Sequence, residues 1–103
     1  MKVKVERDKI VKALKDIEGI EVVLENANDA KETLDLILRK SELLKGSEGK
    51  KLKDIKVTAT QEYKTSAVDY DLIFTLEFVF ASGVFTDTKL ALVKEIQEFF
   101  NKY

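Results

Sequence analysis

Three carboxylates, Glu62, Asp69 and Asp71, flank one predicted turn. Calcium and magnesium take their ligands from oxygen-bearing groups of this kind. A hairpin with Tyr63 opposite Val68 sets Glu62 opposite Asp69 and Thr60 opposite Asp71, so the three acids form a candidate hard-cation site. The competing reading is a solvated tip, helped by Lys64. "SEGK" at 47–50 matches S-x-x-K, whose chemistry wants the serine opening a helix so that the lysine returns one turn later. Here Gly46 and Gly49 interrupt a polar run, which reads as a turn. "GSEGKK" resembles a phosphate loop only superficially: the glycines are too close together, and no Ser or Thr follows the lysine to hold magnesium. Lys45, Lys50, Lys51, Lys53 and Lys56 form a basic stretch, interrupted by Glu48 and Asp54. Lys50, Lys51, Lys53 and Lys56 are the candidate nucleic-acid contacts, through phosphates. No arginine accompanies them and no aromatic side chain is there to stack on a base. The competing reading is a charged loop that blunts the start of a strand.

Composition narrows the chemistry further. The chain has no His, Cys, Pro or Trp. It therefore lacks an imidazole for acid–base work near neutrality, a thiolate nucleophile and any disulfide. Ser41, Ser47, Ser66 and Ser82 all lie outside a G-x-S-x-G context. The expectation is a protein without catalytic residues, cofactor or identifiable small-molecule substrate. The 18 basic and 19 acidic residues leave a net charge of −1, which argues against a surface built mainly to neutralise phosphates. No apolar run approaches the ~20 residues that cross a bilayer, and the N-terminus carries no apolar signal core. A soluble, cytoplasmic protein without a membrane partner is expected. Lys and Glu dominate the charged residues, a bias that resembles hyperthermophile composition. It fits a viral or archaeal source, an AT-rich genome and an artificial palette equally.

The elements that must position these residues follow from periodicity. At 103 residues the chain is expected to form one α+β domain over 1–103. "KVKVE" alternates as a first strand. "RDKIVKALKDIEG" is helical, with Ile10, Leu14 and Ile17 on one face beside Val11, Asp8 as N-cap and Gly19 closing it. "IEVVLE" alternates as a second strand. Asp29, with Glu32 three residues on, imitates a capping box for a helix over about 29–45. Ala30, Leu34, Ile37, Leu38 and Leu44 form its apolar stripe, broken by Ser41. From Lys53 the period is two, with Ile55, Val57, Ala59 and Tyr63 on one face. "AVDYDLIFTLEFVFASG" alternates without a break through Val68, Tyr70, Leu72, Phe74, Leu76, Phe78 and Phe80. The last helix begins in "TDTKLALVKEIQEFFNKY", its core face Leu92, Val93, Ile96, Phe99, Phe100 and Tyr103.

The expected order is β-α-β-α-β-β-α. It implies a mixed four-stranded sheet, a parallel pair from the opening strand–helix–strand, a long antiparallel C-terminal hairpin, and helices packed on the sheet. "KTSA" offers neither Gly nor Asn for a two-residue turn, so a four-residue loop over Lys64 to Ala67 is expected. Only a register of that parity brings the two apolar faces together, because a one-residue slip would split them. The first six elements are similar in order to the small archaeal chromatin proteins of the Alba type, with "IEVVLENANDAKETLDLIL" as second strand and second helix. That resemblance implies dimeric binding of DNA or RNA, although "NAND" supplies no basic residue.

The second face of the hairpin decides the functional expectation. Ile73 and Val79 sit there among Thr58 and Thr75, and either the last helix or another chain must cover them. The leading expectation is a non-enzymatic protein–protein interaction or assembly protein that forms a homo-oligomer, or docks a protein partner, through a sheet face or edge. Its interface residues would be Ile73, Val79, Thr58 and Thr75. Nucleic-acid binding through the lysine stretch is the second reading. A designed domain with no natural partner is the third.

Overall fold

The computed structural model describes residues 1–41, 43, 51–63 and 70–103. Strand β1 (Lys2–Glu6) runs directly into helix α1 (Arg7–Glu18), and helix α2 (Ala27–Lys40) follows. Strands β2 (Leu52–Tyr63) and β3 (Tyr70–Phe80) form the hairpin, and helix α3 (Thr86–Asn101) comes last. The fold is α+β. Among the described residues the sheet has three strands in the order β1-β3-β2, with both pairings antiparallel. The expected four-stranded mixed sheet and its parallel pair are therefore not formed, and neither is the element order on which the Alba-type resemblance rested.

The difference lies at Ile20–Glu25, which is not part of a strand. Lys40 Nζ lies 3.9 Å from Glu18 Oε1, so α1 and α2 end side by side. The connector over 19–26 must then travel back along α2 before that helix can begin. Fourteen helical residues are about 21 Å long at ~1.5 Å per residue. Eight extended residues reach about 26 Å, enough for the return. The connector is thus stretched like a strand and alternates like one: Leu24 is buried, Val22 half-buried and Val23 74% exposed. Yet no backbone hydrogen bond within the described residues involves Ile20–Leu24.

Local chemistry sets the helix ends. Gly19 takes φ 67°, and its N–H donates to the Lys15 carbonyl at 2.9 Å, closing α1 in the left-handed conformation that glycine adopts without a steric penalty. Asp8 is not the N-cap; it lies inside the first turn, where a carboxylate favours the positive end of the helix dipole. At α2 the cap is Asn26 rather than Asp29. Asn26 Oδ1 accepts the Asp29 N–H at 2.9 Å, and Asp29 Oδ2 accepts the Glu25 N–H at 3.2 Å. The helix therefore starts earlier than expected. It ends at Lys40, where the buried Ser41 donates its hydroxyl to the Leu38 carbonyl. Leu44 lies outside the described residues.

The hairpin keeps the expected parity but slips by two residues, since Tyr63 pairs with Tyr70, not Val68. Ile55 faces Phe78, Val57 faces Leu76 and Ala59 faces Phe74, so the apolar sides coincide. An irregularity between Leu52 and Asp54 inserts Lys53 and turns both Leu52 and Ile55 inward. On this side one cluster unites Val3, Val5, Leu72, Phe74, Leu76 and Phe78 with Ile10 and Leu14 of α1, Leu34 and Leu38 of α2, and Leu92, Ile96 and Phe100 of α3. Burial of each larger side chain contributes roughly 1.5–3 kcal/mol. Helix α3 has the expected core face and shares the core of the other two helices. The distal hairpin runs past this layer: Ala59 and Tyr63 lie on the core-facing side yet remain exposed, with the Tyr63 and Tyr70 rings 5.6 Å apart.

Candidate functional site

The side of the sheet away from the helices is the candidate site. The register arranges it in rows across the strands: Lys2–Glu77–Lys56, then Lys4–Thr75–Thr58, then Glu6–Ile73–Thr60, with Asp71–Glu62 beyond. Lys2, Lys4, Glu6, Lys56, Thr58, Thr60, Glu62 and Glu77 are exposed, so no described element lies over them. Thr58 and Thr75 are thus adjacent, with Ile73 one row on and Val79 opposite Asp54. Ile73 is only 7% exposed, although it stands outside the core cluster. It lies on the central strand, between Glu6 on one side and Thr60 on the other. Val79 and Thr75 are half-buried and Thr58 is open.

Strand β2 forms one edge of the sheet, and its first part is occupied. Lys31 on α2 reaches across to donate to Asp54 Oδ1 and, at 2.7 Å, to the Ile55 carbonyl. The same Asp54 oxygen accepts the Ile55 N–H at 2.8 Å. These two hydrogen bonds, led by the one from Lys31, hold the Asp54 carboxyl below its ordinary pKa. Both backbone polar groups of Ile55 are therefore satisfied by side chains. From Val57 to Tyr63 every residue is exposed or half-buried, and Glu62 is the one charged side chain.

The acidic hairpin tip is arranged differently from expectation. Glu62 faces Asp71, Thr60 faces Ile73, and Asp69 lies outside the described residues. Among the described residues no group of three Asp, Glu, His or Cys side chains is placed to hold a metal ion. Of the candidate nucleic-acid lysines, Lys50 lies outside the described residues, as does the S-x-x-K stretch. Lys51 leads into β2, Lys53 sits at the irregularity beside Asp54, and Lys56 faces Glu77. The structure thus spreads the described lysines along β2 among carboxylates.

Sequence reasoning did not find a groove of about 610 Å³ where the C-terminal ends of the helices meet. Ile17, Leu43 and Phe99 supply apolar wall, and Asp16, Glu98 and Lys102 supply charge. Some of its polar groups already have partners: the Tyr103 hydroxyl donates to Asp16 at 2.8 Å, and Lys102 Nζ lies 5.0 Å from the Phe99 ring centre. Burial, then the hydrogen bond to Asp16 and its charge, pushes the Tyr103 phenol up. The pattern of Phe99 and Tyr103 on one helical face was visible in the sequence, but it reports core packing equally well.

Fold and site together define an α+β domain with helices on one side of an antiparallel sheet and, on the other, a face and an edge that no described element covers. No protein-family model, curated protein or solved structure matches this chain. No described helix is long and apolar enough to cross a membrane.

Proposed function

We propose that this protein is a non-enzymatic assembly module that associates with a second copy of itself through the helix-free side of its sheet, by face or by edge. The observation that carries this reading is the placement of all three helices in one core. Thr58 and Thr75, with Ile73 and Val79 beside them, lie on the side that no described element covers. Charge supports a second copy as the occupant. Lys2, Lys4 and Lys56, with Glu77 between the first and last, give one end of the open face a net positive charge, and Glu6 and Glu62 lie toward the other. Two such surfaces complement each other when one is turned end for end. The composition supports a non-catalytic role, because neither imidazole nor thiol is available.

The test is size-exclusion chromatography with light scattering at micromolar concentration, with absorbance read at two ultraviolet wavelengths. A mass twice that of the monomer, with the absorbance ratio of protein alone, is the expected result. A monomer throughout the concentration range overturns the proposal. Co-eluting nucleic acid lost on raising the salt would instead favour the reading through Lys51, Lys53 and Lys56.

A further inference from the structure

Two independent contacts fix which way the backbone of β2 points. In an antiparallel strand each residue sends its N–H and C=O to the same side, and the side alternates along the chain. Ile55 has both groups bonded to side chains, those of Asp54 and Lys31, so it faces away from β3. From the other direction, the Phe78 N–H donates to the Met1 carbonyl, so even-numbered residues of β3 face β1. The odd ones then face β2, and their partners there are Lys56, Thr58 and Thr60. Both routes agree: Val57, Ala59 and Gln61 present their N–H and C=O groups outward along the edge that no described strand pairs with.

The edge is closed in one half and open in the other. The irregularity at Lys53 and the Lys31–Asp54 pair at Ile55 are devices that stop a second strand from adding. From Val57 onward, the sequence "VTATQEY" is rich in β-formers, has no proline and carries one charge. Such an edge is a template for strand addition.

We infer that the open half of β2 pairs antiparallel with the same segment of a second copy about a two-fold axis at Ala59, joining two three-stranded sheets into one. This rests on the self-association proposed above and specifies its surface and register. Ala59 then lies opposite the partner's Ala59, and Val57 opposite the partner's Gln61. These are the outward-facing positions, so their backbone groups meet. Thr58 lies opposite the partner's Thr60. Lys56 comes opposite the partner's Glu62, in the closer, non-hydrogen-bonded kind of pair, and the symmetry makes this ion pair twice. Moving the axis to Thr58 sets Asp54 against the partner's Glu62 instead, a like-charge opposition that disfavours that register. The pairing stops at Ile55, whose edge groups are already taken.

The test is a charge swap read by sedimentation equilibrium on the full chain, with circular dichroism confirming the fold. Lys56→Glu and Glu62→Lys each turn two attractions into two repulsions, and each weakens the dimer about ten- to hundredfold. The double variant K56E/E62K recovers wild-type affinity to within about threefold, since the pairs are rebuilt with their signs exchanged. Ala59→Pro removes an outward N–H at the axis without breaking a bond to β3, and it abolishes association in a folded monomer. Thr75→Arg, at the middle of the open face, distinguishes the two surfaces, because it disrupts pairing through the face and does not touch pairing through the β2 edge. If the double variant stays as weak as the singles, the register is overturned. If Thr75→Arg dissociates the dimer while Ala59→Pro does not, self-association stands but the edge proposal falls. A monomeric wild type removes both.

Discussion

The connector between α1 and α2 makes a sharp prediction, because a strand and an extended return are sensitive to different substitutions. Leu24 is 0% exposed and belongs to the core cluster, whereas its neighbour Val23 is 74% exposed. Leu24→Ala removes buried carbon and leaves space that α1 and α2 refill only in part, at a cost of about 3 kcal/mol. With a urea slope of ~1.5 kcal/mol per molar, the unfolding midpoint falls by about 2 M. Val23→Ala, one residue away, stays within about 0.5 kcal/mol. Val23→Pro carries the diagnostic weight. The Val23 N–H makes no backbone hydrogen bond with a described residue, so proline has no such bond to break and costs less than about 1 kcal/mol. In a sheet ladder, the same change would orphan a partner carbonyl and cost about 1–3 kcal/mol beyond the conformational term. Equilibrium urea unfolding followed by circular dichroism measures all three. A Val23→Pro variant as unstable as Leu24→Ala would refute the return-segment reading, and equal losses for Val23→Ala and Leu24→Ala would refute the orientation.

The remaining predictions concern a cap and a titration. Asn26→Ala removes the acceptor of the Asp29 N–H and lowers stability by about 1 kcal/mol in the same urea assay. The Asp54 carboxyl is held below its ordinary value near 3.8. Its contribution to stability is therefore present in full above that value and lost as the pH falls through the lower folded one. Asp54→Asn makes urea midpoints less sensitive to acid in this range, and a wild-type profile indistinguishable from the variant's would contradict the Lys31–Asp54–Ile55 arrangement.

The hairpin parity and the inner face of α3 were legible because each rests on a constraint that admits one answer. Phe74, Leu76 and Phe78 fall on one side of β3 whatever the loop does, and Ile55 and Val57 must join them. The loop length was not legible, since a slip of two residues preserves every facing and changes only which exposed pairs meet at the tip, such as Tyr63 with Tyr70. At "NAND" the sequence offers Asn26, Asn28 and Asp29 as competent caps within one turn, and nothing local ranks them. "IEVVLE" misled for a more general reason. Alternation of buried and exposed residues reports an extended chain with one face against a core, and Val22 and Leu24 satisfy that without any ladder. Hydrogen-bond pairing is a separate property that depends on a neighbouring strand being in reach.

That same separation bears on the candidate site. Ile73 stands out in the sequence as an apolar residue on a polar face, and a wet isoleucine asks for a partner. On the central strand it stands between Glu6 and Thr60 and is only 7% exposed within the chain. Unmet demand shifts from the face to the edge, where it is a demand of the backbone. The outward groups of Ile55 are satisfied by Lys31 and Asp54, while those of Val57, Ala59 and Gln61 have no partner strand among the described residues. Side-chain patterning cannot display this, since each of these residues has an unremarkable side chain for an edge strand. It becomes visible only once the direction of every N–H in β2 is known.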